Sequence, residues 1–120
     1  VLTIGQEYVV AALAKAAEIS SLRFQMNKPG FTTTGRLFNL SGGGSLGATY
    51  GSPTGSGIQP MGLGWYLCWF SFTATLAEGL NCIIRLGSSA FTGDGSSGLY
   101  LDHVQLETGG DFSHFFIRKP

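Results

Sequence analysis

Charged residues are scarce in this chain of 120 residues, which has seven Lys and Arg, seven Asp and Glu, and a formal net charge of zero. Because binding to a phosphate backbone depends on an excess of positive charge, we expect no nucleic-acid partner. The chain is also 43% hydrophobic, and so little charge on so apolar a chain predicts that another subunit or domain covers part of its surface. The composition therefore favours an oligomer.

Long apolar runs are absent. The longest, at 8–14 and 65–70, fall far short of the roughly 20 residues that cross a bilayer, so we expect no membrane span. The chain begins at Val1, and its first residues lack the charged, apolar and small-residue order of a secretory signal. We therefore expect a processed or excised N-terminus.

Cysteine is rare, with only Cys68 and Cys82 in the chain. If their strands paired through a turn near 76–79, Cys68 would face a residue near Gly87, and the two sulfurs would miss each other. We therefore expect two reduced, buried thiols that pack as small hydrophobic side chains.

Catalytic motifs are also missing. The two histidines, His103 and His114, are flanked by scattered acids that form neither a paired-carboxylate geometry nor a serine nucleophile elbow. The loop at 93–98 lacks the lysine and the following helix of a phosphate-binding loop, so a plain turn is the simpler interpretation. We expect a protein that is not an enzyme, with His103 at a strand edge and His114 in a packing or interface position.

Glycine, in contrast, is abundant at 19 residues, far above the usual share of about 7%, and indicates many turns and few helices. Residues 21–27 alternate apolar and polar side chains before a turn at 27–30, which predicts a half-buried strand. Residues 35–41 predict another short strand. The glycine-rich stretch at 42–57 is predicted to be a loop or a weak edge strand.

The clearest predicted strand covers 65–75. One face is continuously apolar, and we expect it in the core: Tyr66, Cys68, Phe70, Phe72 and Ala74. The other face places Trp65 and Trp69 on a second, partly covered surface. Residues 79–87 predict a further sandwich strand with one apolar face: Leu80, Cys82, Ile84 and Leu86.

The last predicted strand, at 99–107, raises a question about Asp102. Val104 and Leu106 share its face and favour burying that face, which would place the carboxylate among apolar neighbours. A buried charge needs a partner. Two alternatives stay open, a structural calcium ion or bonds from the backbone or Arg85; no other cofactor is expected.

Residues 8–19 are ambiguous on propensity. Their alanines and leucine favour a helix, but their nearly continuous apolar character shows no amphipathic stripe. Propensity alone predicts a helix for this segment.

Several short motifs follow one another along the chain: GQEY at 5–8, Lys15, RLFN at 36–39, IQP at 58–60, GWY at 64–66 with Cys68, GDG at 93–95, Gly98, Tyr100 and QLE at 105–107. This order resembles the carbohydrate-binding-module-like jelly-roll domains of bacteriophage tail fibres and other virion appendages. Those domains carry Gly-Trp-Tyr-Arg-Cys and Gly-Ala-Gln-Leu-Glu strands, whereas Leu67 replaces the arginine here and His103 and Val104 replace the Gly-Ala pair.

The resemblance implies an all-β fold, an antiparallel two-sheet β-sandwich of the jelly-roll type. It also implies that residues 8–16 form an early strand, because tertiary context can override helix propensity. We expect one domain over 1–120, with 111–120 as a C-terminal aromatic tail.

The resemblance further implies a non-enzymatic structural module of a tail fibre, spike, head fibre or capsid decoration, in a virion assembled in the host cytoplasm. Its expected partners are other virion subunits, as a homo-oligomer with a trimer favoured, and host-surface glycan. Residues 100–104 are also similar to the closing strand of sugar-binding jelly rolls attached to polysaccharide hydrolases, where an aspartate lies near calcium. The alternative is therefore an autonomous carbohydrate-binding module.

Two groups of residues are candidates for contacts. Sugar rings pack on rigid aromatic faces, and the candidates for that role are Trp69, Tyr50 and Phe91. Apolar side chains at a chain end are typical of subunit contacts, and the candidates there are Phe112, Phe115, Phe116 and Ile117.

Overall fold

The ambiguous segment near the N-terminus forms a strand. In the computed structural model, which describes residues 2–17, 19–77, 81–86 and 98–108, β1 covers Glu7–Ala16. Val9 and Ala11 on one face and Val10 and Ala12 on the other are at most 2% exposed. A strand that is covered on both faces reads as a continuous apolar run, which explains why residues 8–19 show no stripe.

The remaining strands complete two sheets. They are β2 (Ser21–Lys28), β3 (Phe31–Asn39), β4 (Ser45–Tyr50), β5 (Gly55–Gly62), β6 (Trp65–Thr73), β7 (Asn81–Leu86) and β8 (Leu99–Thr108). Sheet A has the order β5-β6-β1-β8 and sheet B the order β4-β3-β2-β7, with antiparallel pairing in both. The predicted all-β sandwich is confirmed. Across the described ranges there is no helix that could span a membrane.

Aromatic side chains join the two sheets. Phe24 of sheet B meets Phe70 of sheet A edge to face, with ring centroids 5.3 Å apart, and Phe31 meets Phe72 at 5.8 Å. The inward face predicted for β6 is confirmed, because all five of its side chains are buried: Tyr66, Cys68, Phe70, Phe72 and Ala74. Each buried phenylalanine contributes about 1.5 to 3 kcal/mol to the free energy of unfolding.

The glycine-rich stretch forms edge strands. β4 is one edge strand of sheet B and β5 is one edge strand of sheet A, so the weak-edge-strand alternative for 42–57 is confirmed over Ser45–Tyr50 and from Gly55 onward. β5 continues to Gly62, beyond the predicted stretch.

The predicted pairing of the two cysteine-bearing strands is wrong. β6 lies between β5 and β1 in sheet A, whereas β7 pairs with β2 in sheet B. Both thiols are free, as expected, but only Cys68 is buried and Cys82 is exposed. Ile84 is partly buried and packs against the main core, as expected for its face of β7.

An irregularity in β8 overturns the predicted face of Asp102. Ala12 pairs with Val104 but Leu13 pairs with Asp102, so one extra residue lies at 103, as in a β-bulge. Val104 therefore lies on the core side of the sheet, whereas Asp102 lies on the outer side and is exposed. Burial of Val104 and Leu106 is also wrong, because these residues of an edge strand are 46% and 45% exposed.

Candidate functional site

The outer face of sheet A carries a second apolar cluster. Ala11, Leu13 and Leu67 are buried there, and Trp65 and Trp69 pack against them while staying partly exposed. These residues lie on β1 and β6, the two inner strands of the sheet, so the cluster occupies the middle of the face. We call these five residues the tryptophan face. The partly covered surface predicted for Trp65 and Trp69 is confirmed.

A glycine on the neighbouring strand gives Trp69 its position. Gly57 pairs directly with Trp69, and a Cβ at position 57 would lie 2.6 Å from the indole Nε1 and 2.8 Å from Cε2. The indole therefore occupies the space that any side chain at 57 would fill. Packing against two strands already fixes the indole ring. Little side-chain entropy is therefore lost when a ligand stacks on its exposed part.

Polar groups border the tryptophan face on the side of β8. Lys15 lies in register between Trp65 and Tyr100, with its Nζ 6.0 Å from the centroid of the Tyr100 ring. Tyr100 is 58% exposed, and Asp102 lies opposite Leu13 in the next row. An aromatic surface bordered by an amine, a phenol and a carboxylate offers the donors and acceptors that sugar hydroxyls need.

Tyr50 lies on the other side of the sandwich. It pairs with Gly35, which in turn pairs with Gln25, so the three residues share the outer face of sheet B. The guanidinium carbon of Arg23 lies 3.8 Å from the centroid of the Tyr50 ring. Tyr50 is thus not brought together with Trp69, and a sugar contact at Tyr50 stays a prediction.

Several predicted contact residues lie outside the described residues. These are Phe91, the loop at 93–97, His114 and the predicted interface residues Phe112, Phe115, Phe116 and Ile117. The backbone of His103 is described within β8, but its side chain is not. Their expected roles, and the extent of the domain over 1–120, stay predictions.

The sequence reasoning missed an apolar strip on edge strand β8. Leu101, Val104 and Leu106 are 42%, 46% and 45% exposed. Their partners on β1 place them on the core side of the sheet, although they are not covered there. A signal was available, because the apolar positions change from odd numbers, 99 and 101, to even numbers, 104 and 106, and such a change indicates a bulge.

The exposure of Asp102 removes the physical reason for expecting a calcium ion there. The prediction rested on a buried carboxylate that required a partner, but Asp102 is exposed, and water can solvate it. Within the described part of the chain, no group of three or more His, Cys, Asp or Glu residues is positioned to hold a metal ion. Calcium at this position stays a prediction without its original argument.

Neither thiol has the properties of a nucleophile. Burial raises the pKa of the Cys68 thiol to about 12, and partial burial also raises the pKa of Cys82. Reactive cysteines instead have a lowered pKa, which provides the thiolate at neutral pH. Both sulfurs therefore stay protonated near pH 7.

An open cleft of about 410 Å³ lies where the start of β3 approaches the end of β6. Hydroxyl groups and two phenyl rings line it: Phe31, Thr32, Thr34, Ser52, Thr54, Phe72, Thr73 and Thr75. This lining contains no carboxylate, imidazole, amine or thiol, the groups that usually act as general acids and bases.

No protein-family model matches the chain, and no curated protein shows significant sequence similarity to it.

Proposed function

We propose that this chain is a non-enzymatic structural module of a virion appendage, such as a tail fibre, a spike or a capsid decoration. It assembles with other virion subunits and contacts glycan at the host surface, in a virion assembled in the host cytoplasm, and it requires no cofactor. The resemblance of its motifs to jelly-roll domains of such appendages supports this proposal, as does the β-sandwich fold.

The proposed assembly with other subunits is supported by the half-exposed apolar strip on β8, which consists of Leu101, Val104 and Leu106. In a monomer these half-exposed side chains remain in contact with water. Covering them in a subunit contact contributes about 25 cal/mol for each Å² of apolar surface that is buried. An apolar strip on an edge strand is typical of a surface that another chain covers. We therefore expect a homo-oligomer, with a trimer favoured.

Multi-angle light scattering over a range of protein concentrations tests this expectation. Leu106→Ala shortens a side chain in the strip and should shift the protein toward monomer, as should the paired change Phe115→Ala and Phe116→Ala in the aromatic tail. Leu63→Ala is the matched control, because Leu63 is 91% exposed in the turn between β5 and β6, outside the strip. A wild-type protein that stays monomeric at all concentrations contradicts the proposal.

A second candidate, an autonomous carbohydrate-binding module, is favoured by the packing of Trp69 against Gly57. Such a module binds glycan as an isolated monomer through the exposed part of the indole. On an array of neutral glycans, Trp69→Ala should abolish binding while its circular dichroism spectrum stays that of a β-sandwich. Leu63→Ala again serves as the control. Binding that survives in Trp69→Ala rules out this candidate.

A further inference from the structure

The charges of the described strands are separated between the two sheets. Within its four strands, all of them described, sheet B contains no Asp or Glu but several cations: Arg23, Lys28, Arg36 and Arg85. The strands of sheet A have an acidic excess: Glu7, Asp102 and Glu107 against Lys15. The net charge of zero for the whole chain is thus unevenly distributed, and sheet B is cationic.

Two of these cations lie side by side on the outer face of sheet B. Arg23 and Arg85 are direct partners across β2 and β7. They point away from the core, because Leu22 and Phe24, the neighbours of Arg23 in the strand, are fully buried on the inner face. Like charges directly opposite each other destabilise a sheet, and no acid within the described strands of sheet B offsets this pair.

Arg36 is not part of this outer pair, because its side chain makes hydrogen bonds between the two sheets. It points between the sheets, where Nη1 donates a hydrogen bond of 2.9 Å to Ser56 Oγ and Nη2 one of 3.1 Å to the Gly47 carbonyl oxygen. These bonds join β3 to both edge strands, β4 and β5. Its terminal nitrogens are therefore already engaged, and it adds no donor to the outer face.

Arg23 is held in one orientation. Its Nε donates a hydrogen bond of 2.8 Å to Oε1 of Gln25, which is itself only 2% exposed. Its guanidinium group lies over the Tyr50 ring at 3.8 Å. Nη1 and Nη2 make no hydrogen bond to any residue in the described part of the chain. Their N–H groups form a planar fork that matches an oxyanion, and two fixed contacts lower the entropy cost of using it.

We propose that the outer face of sheet B binds the carboxylate or sulfate group of an acidic saccharide, with Arg23 as the main ligand-binding residue and Arg85 as a second cation. The guanidinium group of Arg23 lies over Tyr50 of β4, whereas Arg85 lies on β7 at the other side of β2, so Arg23 contacts the anion and Arg85 adds a longer-range attraction. Two outward arginines suit a single charged group, whereas a phosphate backbone needs a longer series of cations. The saccharide part rests on the proposed glycan contact of the module.

Calorimetric titration at low salt tests this site on the full chain, with oligogalacturonate and a dextran sulfate oligomer as acidic ligands and dextran as the neutral one. Both acidic ligands should bind, with oligogalacturonate reporting the carboxylate and dextran sulfate the sulfate, and dextran should not. Arg23→Gln should weaken binding by about tenfold or more, because a charge-assisted fork is lost. Arg23→Lys should give an intermediate loss, since the charge remains but the fork does not.

Two further variants and one other ligand make the test decisive. Arg85→Gln should weaken binding less than Arg23→Gln. The site is overturned if neither acidic ligand binds, or if the double variant Arg23→Gln, Arg85→Gln binds as the wild type does. Tighter binding of duplex DNA with the same dependence on Arg23 overturns the saccharide assignment. Light scattering on the same samples reports assembly independently, so failure of this site and failure of the virion-module proposal are distinguishable.

Discussion

The two outer faces of the sandwich are covered in different ways. On sheet A, indole rings lie over small and aliphatic side chains, and Trp69 takes the space above Gly57. On sheet B, Leu37 and Gln25 occupy outer positions and are nonetheless buried, and Arg23 stacks on Tyr50 beside them. An apolar chain with few charges can cover a sheet by either route. We therefore propose different ligands for the two faces, neutral sugar rings for sheet A and anions for sheet B.

A methyl group added to one glycine on each face should give the largest difference. At Gly35 the new Cβ would lie 2.1 Å from the Phe24 carbonyl oxygen, whereas at Gly57 its nearest neighbours would be atoms of the Trp69 side chain. Backbone moves less easily than a partly exposed indole, so Gly35→Ala should lower the free energy of unfolding by about 3 kcal/mol and Gly57→Ala by about 1 kcal/mol. Urea denaturation measures both. Equal losses would mean that Trp69 is as rigid as the backbone.

Truncating the aromatic ring of each face should give a smaller difference. Trp69→Ala removes packing against a buried aliphatic cluster and should cost about 2 kcal/mol of stability. Tyr50→Ala removes a stacked guanidinium contact and should cost about 1 kcal/mol. Thermal or urea unfolding gives both values. A greater loss for Tyr50→Ala would show that the cation–π stack contributes more than indole packing.

Some strands and their faces could be predicted from the sequence better than others. The inner face of β6 stays apolar, whereas its outer face becomes polar at Ser71 and Thr73, so its inward side chains, Phe70 among them, were predicted correctly. β1 is buried on both faces and carries no alternation, and only the resemblance predicted it as a strand. The bulge at 103 and the separation of β6 from β7 into different sheets have weak or no local signals, because pairing partners distant in sequence decide them.

The sequence predicted the residues of the candidate sites less completely than it predicted the strands. Trp69 could be placed on an outer surface by counting residues along one strand. The contact between Arg23 and Tyr50 could not, because it depends on the order β4-β3-β2 and on a glycine between them. The cationic character of sheet B likewise follows from strand order, which a net charge of zero does not indicate.

The two thiols differ in their exposure, because Cys68 lies in the core and Cys82 is exposed on edge strand β7. Burial raises the pKa of Cys68 to about 12 from 9.0, so the unfolded chain loses this proton at lower pH than the folded protein does. The contribution of the Cys68 thiol to stability should therefore be constant below pH 9.0 and be lost as the pH rises toward 12, so Cys68→Ala should show a smaller fall of stability over this range.

Alkylation with iodoacetamide under native conditions provides an independent measurement. Cys82 is exposed and should react, slowly because its pKa is also raised, whereas Cys68 should react only after unfolding. Mass spectrometry counts the modified thiols. Rapid modification of Cys68 in the folded protein would contradict its position in the core.

The smallest expected effect concerns the two arginines on sheet B. Because Arg23 and Arg85 are cross-strand partners, Arg85→Gln should raise the free energy of unfolding by about 0.2 to 1 kcal/mol at low salt. The gain should shrink as salt screens the charges, and Arg85→Lys, which keeps the charge, should show little of it. Unchanged stability instead would mean that stacking of Arg23 on Tyr50 already separates the two charges. The stabilising result would show that the fold tolerates an unfavourable pair on the face where we place an anion.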